Sequence, residues 1–165
     1  TDGFTVFGLE QEYSTELFGY RFKGYVDRLD SFTPDTLRVV DYKTGIVTDK
    51  DIFIDDDSAE DVAEALFGPK NVSRPKIALQ LYIYDRLLGA RPEFSGKKLV
   101  NCIYSASQLF TSLPEQFTVS EKFVSIVDVK LAGLLSSMTD IDVPFAMTED
   151  DSACEYCDFR KICGK

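Results

Sequence analysis

Residues 26–45 read VDRLDSFTPDTLRVVDYKTG. Two short runs rich in valine and leucine flank SFTPD, whose Pro34-Asp35 pair suits the middle of a tight turn. Each run carries a carboxylate where a half-buried strand disfavours one: Asp27 in the first, Asp41 in the second, with Tyr42 and Lys43 following directly. In an antiparallel hairpin centred on Pro34, residues equidistant from the turn face each other, and Asp27 and Asp41 each lie seven positions from it. Their Cβ atoms should then be about 4.5–5.5 Å apart. Alternation places Lys43 on the same face as Asp41, one step along.

Like charges directly opposite destabilise a sheet, and without compensation one carboxylate keeps its proton. A hard divalent cation removes the conflict. Mg²⁺ takes about six oxygens, commonly one or two carboxylates plus waters and substrate phosphate. It activates water at neutral pH and neutralises charge on a phosphoryl oxygen. Lys43 would then orient the attacking water or stabilise developing negative charge. From the spacing alone a plainer alternative stands beside this: Asp27 pairs with Arg28 or Lys43 in a surface salt bridge, and Asp41 merely ends a strand.

Outward from the hairpin, FTVFGLEQEY and GYRFKGYVDRLD alternate and are rich in β-branched and aromatic residues, so each predicts a strand. LRVVDY is a third, more continuous and more buried, and KLVNCIYSAS a fourth. RPKIALQLYIYDRLLG predicts a helix with Ile77, Leu81, Tyr84 and Leu88 on one face, Pro75 at its start and Gly89 at its close. SEKFVSIVDVKLAGLLSSM predicts a longer one, capped by Ser120, with Phe123, Ile126, Val127, Leu131, Leu134 and Met138 inward. Residues 46–74 read as an irregular acidic insertion with a short helix ending at Gly68; its densest part, DKDIFIDDDSAED at 49–61, reads as a solvated loop. Strands first, then helix, strand, helix, predict an α/β domain on one central mixed sheet flanked by helices.

The chain has 165 residues, 44% hydrophobic and 28% charged, the size and balance of one soluble globular domain. It begins at Thr1 without methionine and enters a strand-like segment almost at once, so it reads as a fragment of a larger protein. No apolar run is long enough to span a bilayer, and no membrane partner is expected. Eighteen basic residues against 28 acidic give a net charge of −10, which argues against an independent nucleic-acid-binding module. It argues less against an active site on a larger assembly, where cations offset carboxylates and other domains grip phosphates. The absence of histidine excludes His-dependent triads and His-ligated zinc.

Four stretches, in order, resemble the RecB-type branch of the PD-(D/E)XK nuclease superfamily: GYVDRLD (24–30), VVDYKTG (39–45), QLYIY (80–84) and CEYCDFRKICG (154–164). The resemblance is nearest to the nuclease domain at the C-terminus of AddB-type helicase-nuclease subunits. It implies a restriction-endonuclease-like core lacking its first helix, since the family's helix before the first strand, with its acidic residue or histidine, has no room before Phe4. Glu10 and Glu12 lie near, but in a predicted strand. The resemblance implies Asp27 and Asp41 as Mg²⁺ or Mn²⁺ ligands, the main-chain carbonyl of Tyr42 as a further ligand, and Lys43 as the catalytic lysine. It implies that Gln80 and Tyr84 lie beside the site near DNA; by composition alone Tyr84 is an ordinary core aromatic. Arg28 and Asp30 belong to the motif, Asp30 more as structural support.

Cys154, Cys157 and Cys163 form C-x2-C-x5-C in a cysteine-rich tail, residues 146–165, a spacing that favours a metal over disulfides. The resemblance implies a [4Fe–4S] cluster in the parent protein whose fourth cysteine lies far upstream, leaving this fragment's tail empty or zinc-loaded. Cys102, within a strand, reads as a buried structural cysteine. The expected function is a metal-dependent DNA exonuclease domain of a cytoplasmic helicase-nuclease in DNA repair, with DNA and a helicase domain or subunit as partners. A catalytically inactive nuclease-fold scaffold, or a DNA-handling domain with a structural iron–sulfur site, is the alternative.

Overall fold

A computed structural model describes residues 3–68, 74–111, 114–144, 146–148 and 150–164. Parts of the predicted acidic insertion (69–73) and of the cysteine-rich tail (149 and 165) lie outside the described residues. Strands β1 (Thr5–Leu17) and β2 (Tyr20–Ser31) form a long antiparallel hairpin whose two-residue connection, Phe18-Gly19, has φ of 55° and 81°. Two positive φ values in succession give the turn whose twist matches that of the flanking strands; glycine takes this conformation freely, Phe18 at a cost.

This hairpin is irregular where it nears the motif residues. The register shifts between Val6 and Gly8, and Glu10, which lies between the pairs Leu9↔Arg28 and Gln11↔Val26, has φ of 46°. That position is opposite Asp27. Here β2 changes the face it buries: Val26 and Leu29, of opposite parity, both pack into one hydrophobic cluster. Regular alternation would send one of them to the other side of the sheet.

Strand β3 (Thr36–Lys43) runs antiparallel to β2, with Arg28↔Val40, Leu29↔Val39 and Asp30↔Arg38, each pair symmetric about Pro34 as the turn predicts. The turn is closed by Ser31, whose Oγ donates to the Thr36 carbonyl at 2.6 Å, and by the Thr36 N–H donating to the Thr33 carbonyl at 3.3 Å. Strand β4 (Lys98–Ser105) lies parallel to β3, from Thr36↔Lys98 to Lys43↔Ser105. A two-residue edge strand, β5 (Gln116–Phe117), completes the order β1-β2-β3-β4-β5. The sheet is mixed, as expected.

Between β3 and β4 come α1 (Asp49–Ile52), α2 (Ala59–Phe67) and α3 (Lys76–Gly89); α4 (Glu121–Thr139) follows β5. Parallel neighbours need such a crossover, and α3 is its central member. One side of α3 packs Tyr84, Leu87 and Leu88 on Tyr13, Val26, Leu29, Leu37 and Val39 of the sheet. The other packs Ala78 and Tyr82 against Ala59, Ala63 and Leu66 of α2 and Phe123, Val127 and Leu131 of α4. A Cβ on Gly24 would lie 3.1 Å from Leu87 Cδ1, so glycine lets α3 sit close to β2. Ser120 caps α4, its Oγ accepting the Phe123 N–H at 3.3 Å.

Two expectations are corrected. Leu134 and Met138, predicted inward, are 45% and 56% exposed. The buried set 123, 127 and 131, continued by partly buried Leu135, steps by four and leaves 134 and 138 to one side. The segment 49–61 is not simply a solvated loop: its carboxylates face water, but it holds α1, buries Ile54 in the core and starts α2 at buried Ala59. Among the described residues no helix precedes β1, and none is long and apolar enough to cross a membrane.

Candidate active site

At the C-terminal end of β3, strand alternation presents Asp41 and Lys43 toward α3, and the helical period presents Gln80 and Tyr84 back toward them. Lys43 Nζ lies 2.7 Å from Asp41 Oδ2 and donates to Gln80 Oε1 at 2.6 Å. The Gln80 amide nitrogen donates to Asp41 Oδ1 at 2.8 Å and to the Tyr84 hydroxyl oxygen at 2.6 Å. The Tyr84 hydroxyl in turn donates to Asp41 Oδ1 at 3.2 Å. Each donor finds an acceptor in one direction around the group: the ammonium fixes which end of the Gln80 amide is carbonyl, and this aims the NH₂ at Asp41.

Burial, and then the negative charge of Asp41, push the Tyr84 phenol well above its ordinary range, with Asp27 adding to the effect. Tyr84 therefore stays a neutral donor. It is buried, as a core aromatic would be, yet its hydroxyl is committed to the carboxylate.

Asp27 reaches the same place from β2. Its Oδ2 accepts the backbone N–H of Tyr42 at 2.9 Å, which ties it to the segment between Asp41 and Lys43. Asp41 is 4% exposed, and its Oδ2 has the Lys43 ammonium, 2.7 Å away, as its charge partner. Two carboxylates on adjacent strands, with a lysine beside them, are hard oxygen donors of the kind that fit a divalent cation of the Mg²⁺ type. Glu12 is drawn away to Lys23 (3.4 Å), and among the described residues no three acidic, cysteine or histidine side chains converge.

The opposite face of β2 and β3 holds a different cluster. Asp30, fully buried, accepts from Arg38 Nε at 2.7 Å and Nη2 at 2.8 Å, and Arg28 Nε lies 2.9 Å away. This bidentate pair makes Asp30 a structural tie. Arg38 was not singled out in the sequence, though the symmetry about Pro34 that pairs 27 with 41 also pairs 30 with 38. Asp128 went unnoticed too: it accepts from the Tyr82 hydroxyl at 2.5 Å and from Arg86, tying α4 to the helix that carries Gln80 and Tyr84. Only tertiary packing reveals that contact.

The cysteines do not assemble. Cys154 ends a short 3-10 turn, the Cys157 N–H donates to the Cys154 carbonyl at 3.2 Å, and Cys163 is exposed. Cys102 is buried in β4, where burial raises its thiol pKa, as expected of a structural cysteine.

No curated protein matches the sequence. Among solved structures the chain is similar to "Crystal structure of SSO0001", at 18% identity and a TM-score of 0.41, over 94% of this chain and 59% of that one. The chain thus spans less than two thirds of that protein's length. A family model described as the PD-(D/E)XK nuclease superfamily matches residues 1–164. Nucleases of this superfamily are, as a rule, hydrolases of phosphodiesters that use divalent metal ions such as Mg²⁺. With that match over nearly its whole length, the chain belongs to the PD-(D/E)XK nuclease superfamily.

Proposed function

We propose that the chain is a metal-dependent deoxyribonuclease domain that hydrolyses phosphodiesters exonucleolytically, as part of a cytoplasmic helicase-nuclease that processes DNA breaks. The observation that carries the reading is the group Asp41, Lys43, Gln80 and Tyr84 at the end of β3, with Asp27 of the next strand bound to the Tyr42 N–H. Asp27, Asp41 and the main-chain carbonyl of Tyr42 would hold Mg²⁺ or Mn²⁺. When bound, the cation neutralises phosphoryl charge and activates water for attack.

The protein's own residues supply the rest. Gln80 and Tyr84 hold one oxygen of Asp41 so that the other stays turned to Lys43. Lys43, held by the Gln80 carbonyl, places its ammonium where negative charge develops as water attacks phosphorus in line with the leaving 3′-oxygen. Gln80 and Tyr84 also help to seat the strand. The tail Cys154, Cys157 and Cys163 would hold a [4Fe–4S] cluster only in the parent protein, with a cysteine from outside this chain.

Hydrolysis of an end-labelled DNA oligonucleotide, with Mg²⁺ or Mn²⁺ and after chelation, tests the reading. Metal-dependent loss of terminal nucleotides, abolished by Asp41→Asn, is the expected result. Hydrolysis that survives Asp41→Asn and Lys43→Ala overturns the site, and a chain that binds DNA without ever cleaving it is a scaffold.

A further inference from the structure

Behind the candidate active site, on the other face of the sheet, lies a group that the reaction leaves unused. Tyr42 and Tyr104 are register partners across β3 and β4, and their ring centroids lie 5.6 Å apart with planes inclined at 37°. The Arg28 guanidinium carbon lies 5.6 Å from the ring centroids of Tyr42, Tyr104 and Phe4 alike. Arg28 Nη1 donates to the Tyr42 hydroxyl at 2.6 Å, and its Nε lies 2.9 Å from Asp30 Oδ2 in an ion pair. One hydrogen bond and one ion pair thus position the guanidinium. Tyr42 is 51% exposed, so this ordered group presents an aromatic face to solvent.

The position of this aromatic face restricts what can stack on it. Tyr42 separates Asp41 from Lys43 in sequence, and its N–H binds Asp27, so the ring stands on the reverse side of the very peptide that braces the carboxylates. The local charge also departs from the acidic whole: two guanidiniums, Arg28 and Arg38, meet one carboxylate, Asp30, on a chain of net charge −10. Unpaired nucleobases have flat π faces, stack on aromatic and guanidinium planes without sequence preference, and are linked by anionic phosphates.

The geometry points to a stacking subsite for an unpaired nucleobase on Tyr42, backed by Tyr104 and Arg28, one or a few nucleotides from the phosphate at Asp41 and Lys43. A single strand rounding the C-terminal ends of β3 and β4 would place a phosphate on one face and a neighbouring base on the other. The assignment rests on the nuclease reading for its placement, and it predicts that the substrate must be single-stranded on that side of the cut.

The test compares equilibrium binding of a fluorescent single-stranded DNA oligonucleotide with that of the same oligonucleotide carrying abasic residues near one end. Ca²⁺ replaces Mg²⁺ so that nothing is cleaved. The wild-type chain should bind the base-bearing strand roughly tenfold more tightly, the scale of one stacked base. That preference should collapse in Tyr104→Leu and Tyr42→Leu and persist in Tyr104→Phe, which keeps the ring and guards against a folding defect. Equal affinity for both strands in the wild type, or a preference intact in both leucine variants, overturns the subsite and leaves this face for a protein partner. Cleavage of the base-bearing strand by the wild type in Mg²⁺ is scored separately. Binding preference without cleavage sinks the nuclease reading while the stacking subsite survives; cleavage without preference does the reverse.

Discussion

Asp30 and Asp41 sit on adjacent strands, 0% and 4% exposed, and what separates them is the set of groups that answers each charge. Asp30 is saturated: Arg38 grips it with two hydrogen bonds and Arg28 lies against it from the same face. Asp41 has one oxygen held by an amide and a phenol, and the other paired at 2.7 Å with the Lys43 ammonium, whose side chain is 26% exposed. Burial is the same; the partners are not. Asp30 is closed off by guanidiniums, whereas Asp41 is paired with a lysine that is partly open to solvent.

Paired substitutions break or sustain that contrast most strongly. Asp41→Asn should lower hydrolysis by roughly a thousandfold or more, because it removes charge where cation and phosphate meet. Its cost in thermal stability should be the smaller of the two, because the Lys43 ammonium it leaves is partly exposed to water. Asp30→Asn should do the opposite, costing about 3–5 kcal/mol in urea unfolding by leaving two guanidiniums without their buried counterion. Stable but inactive Asp30→Asn, or unfolded Asp41→Asn, would erase the distinction.

The next effects are smaller and sharpen the Asp41 side alone. Lys43→Ala should slow turnover by roughly 10²–10³ with little change in KM, since its ammonium acts on charge that appears only in the transition state. Gln80→Ala should cost about 10–100-fold, the scale of a residue that orients others. Gln80 carries Lys43 on its carbonyl and Asp41 on its amide. Gln80→Glu tests that orientation directly, because it keeps an acceptor for Lys43 but sets a second carboxylate against Asp41. Turnover equal to wild type in Gln80→Glu would show that the amide donor is dispensable.

The hairpin was legible because its geometry is local. A turn at Pro34 sets the register from Arg28↔Val40 to Asp30↔Arg38, an alternation of two puts 41 and 43 on one face, and a helical period of four does the same for 80 and 84. Asp27 lies where β2 changes face and reaches this end through the Tyr42 N–H. Arg38 was within reach of the same arithmetic and was missed only because an arginine in an apolar strand reads as surface. Other features depend on tertiary context. The change of buried face in β2 arises beside Glu10, whose positive φ no residue pattern announces. Strand β5 has two residues, too few for a period. The stripe on α4 follows the neighbour it packs on and steps by four, so Leu134 and Met138 lie outside it. The cysteine spacing was equally plain to read, but the spacing alone does not bring three thiolates together, and among the described residues none converge.

A third carboxylate extends the contrast in partners, with the smallest expected effect. Asp85 on α3 accepts from Asn101 Nδ2 of β4 at 3.2 Å, while Asn101 Oδ1 is buried with no partner. Burial pushes Asp85 up to about 6, against an ordinary value of 3.8; Asn101 and Arg86 pull the other way with less effect. A protonated Asp85 can donate to the unpaired Asn101 oxygen, and an ionised one cannot. Because the native acid holds its proton more tightly than the unfolded chain does, the stability it contributes is complete below about pH 4, is lost as pH rises through about 6, and stays lost above. Asp85→Asn supplies a permanent donor and removes the charge. It should be more stable than wild type by about 1–2 kcal/mol at pH 7, with the difference shrinking to nothing near pH 4. Urea unfolding at both pH values checks this, and an equal gain at pH 4 and pH 7 would mean that packing, rather than the proton on Asp85, governs the α3–β4 contact.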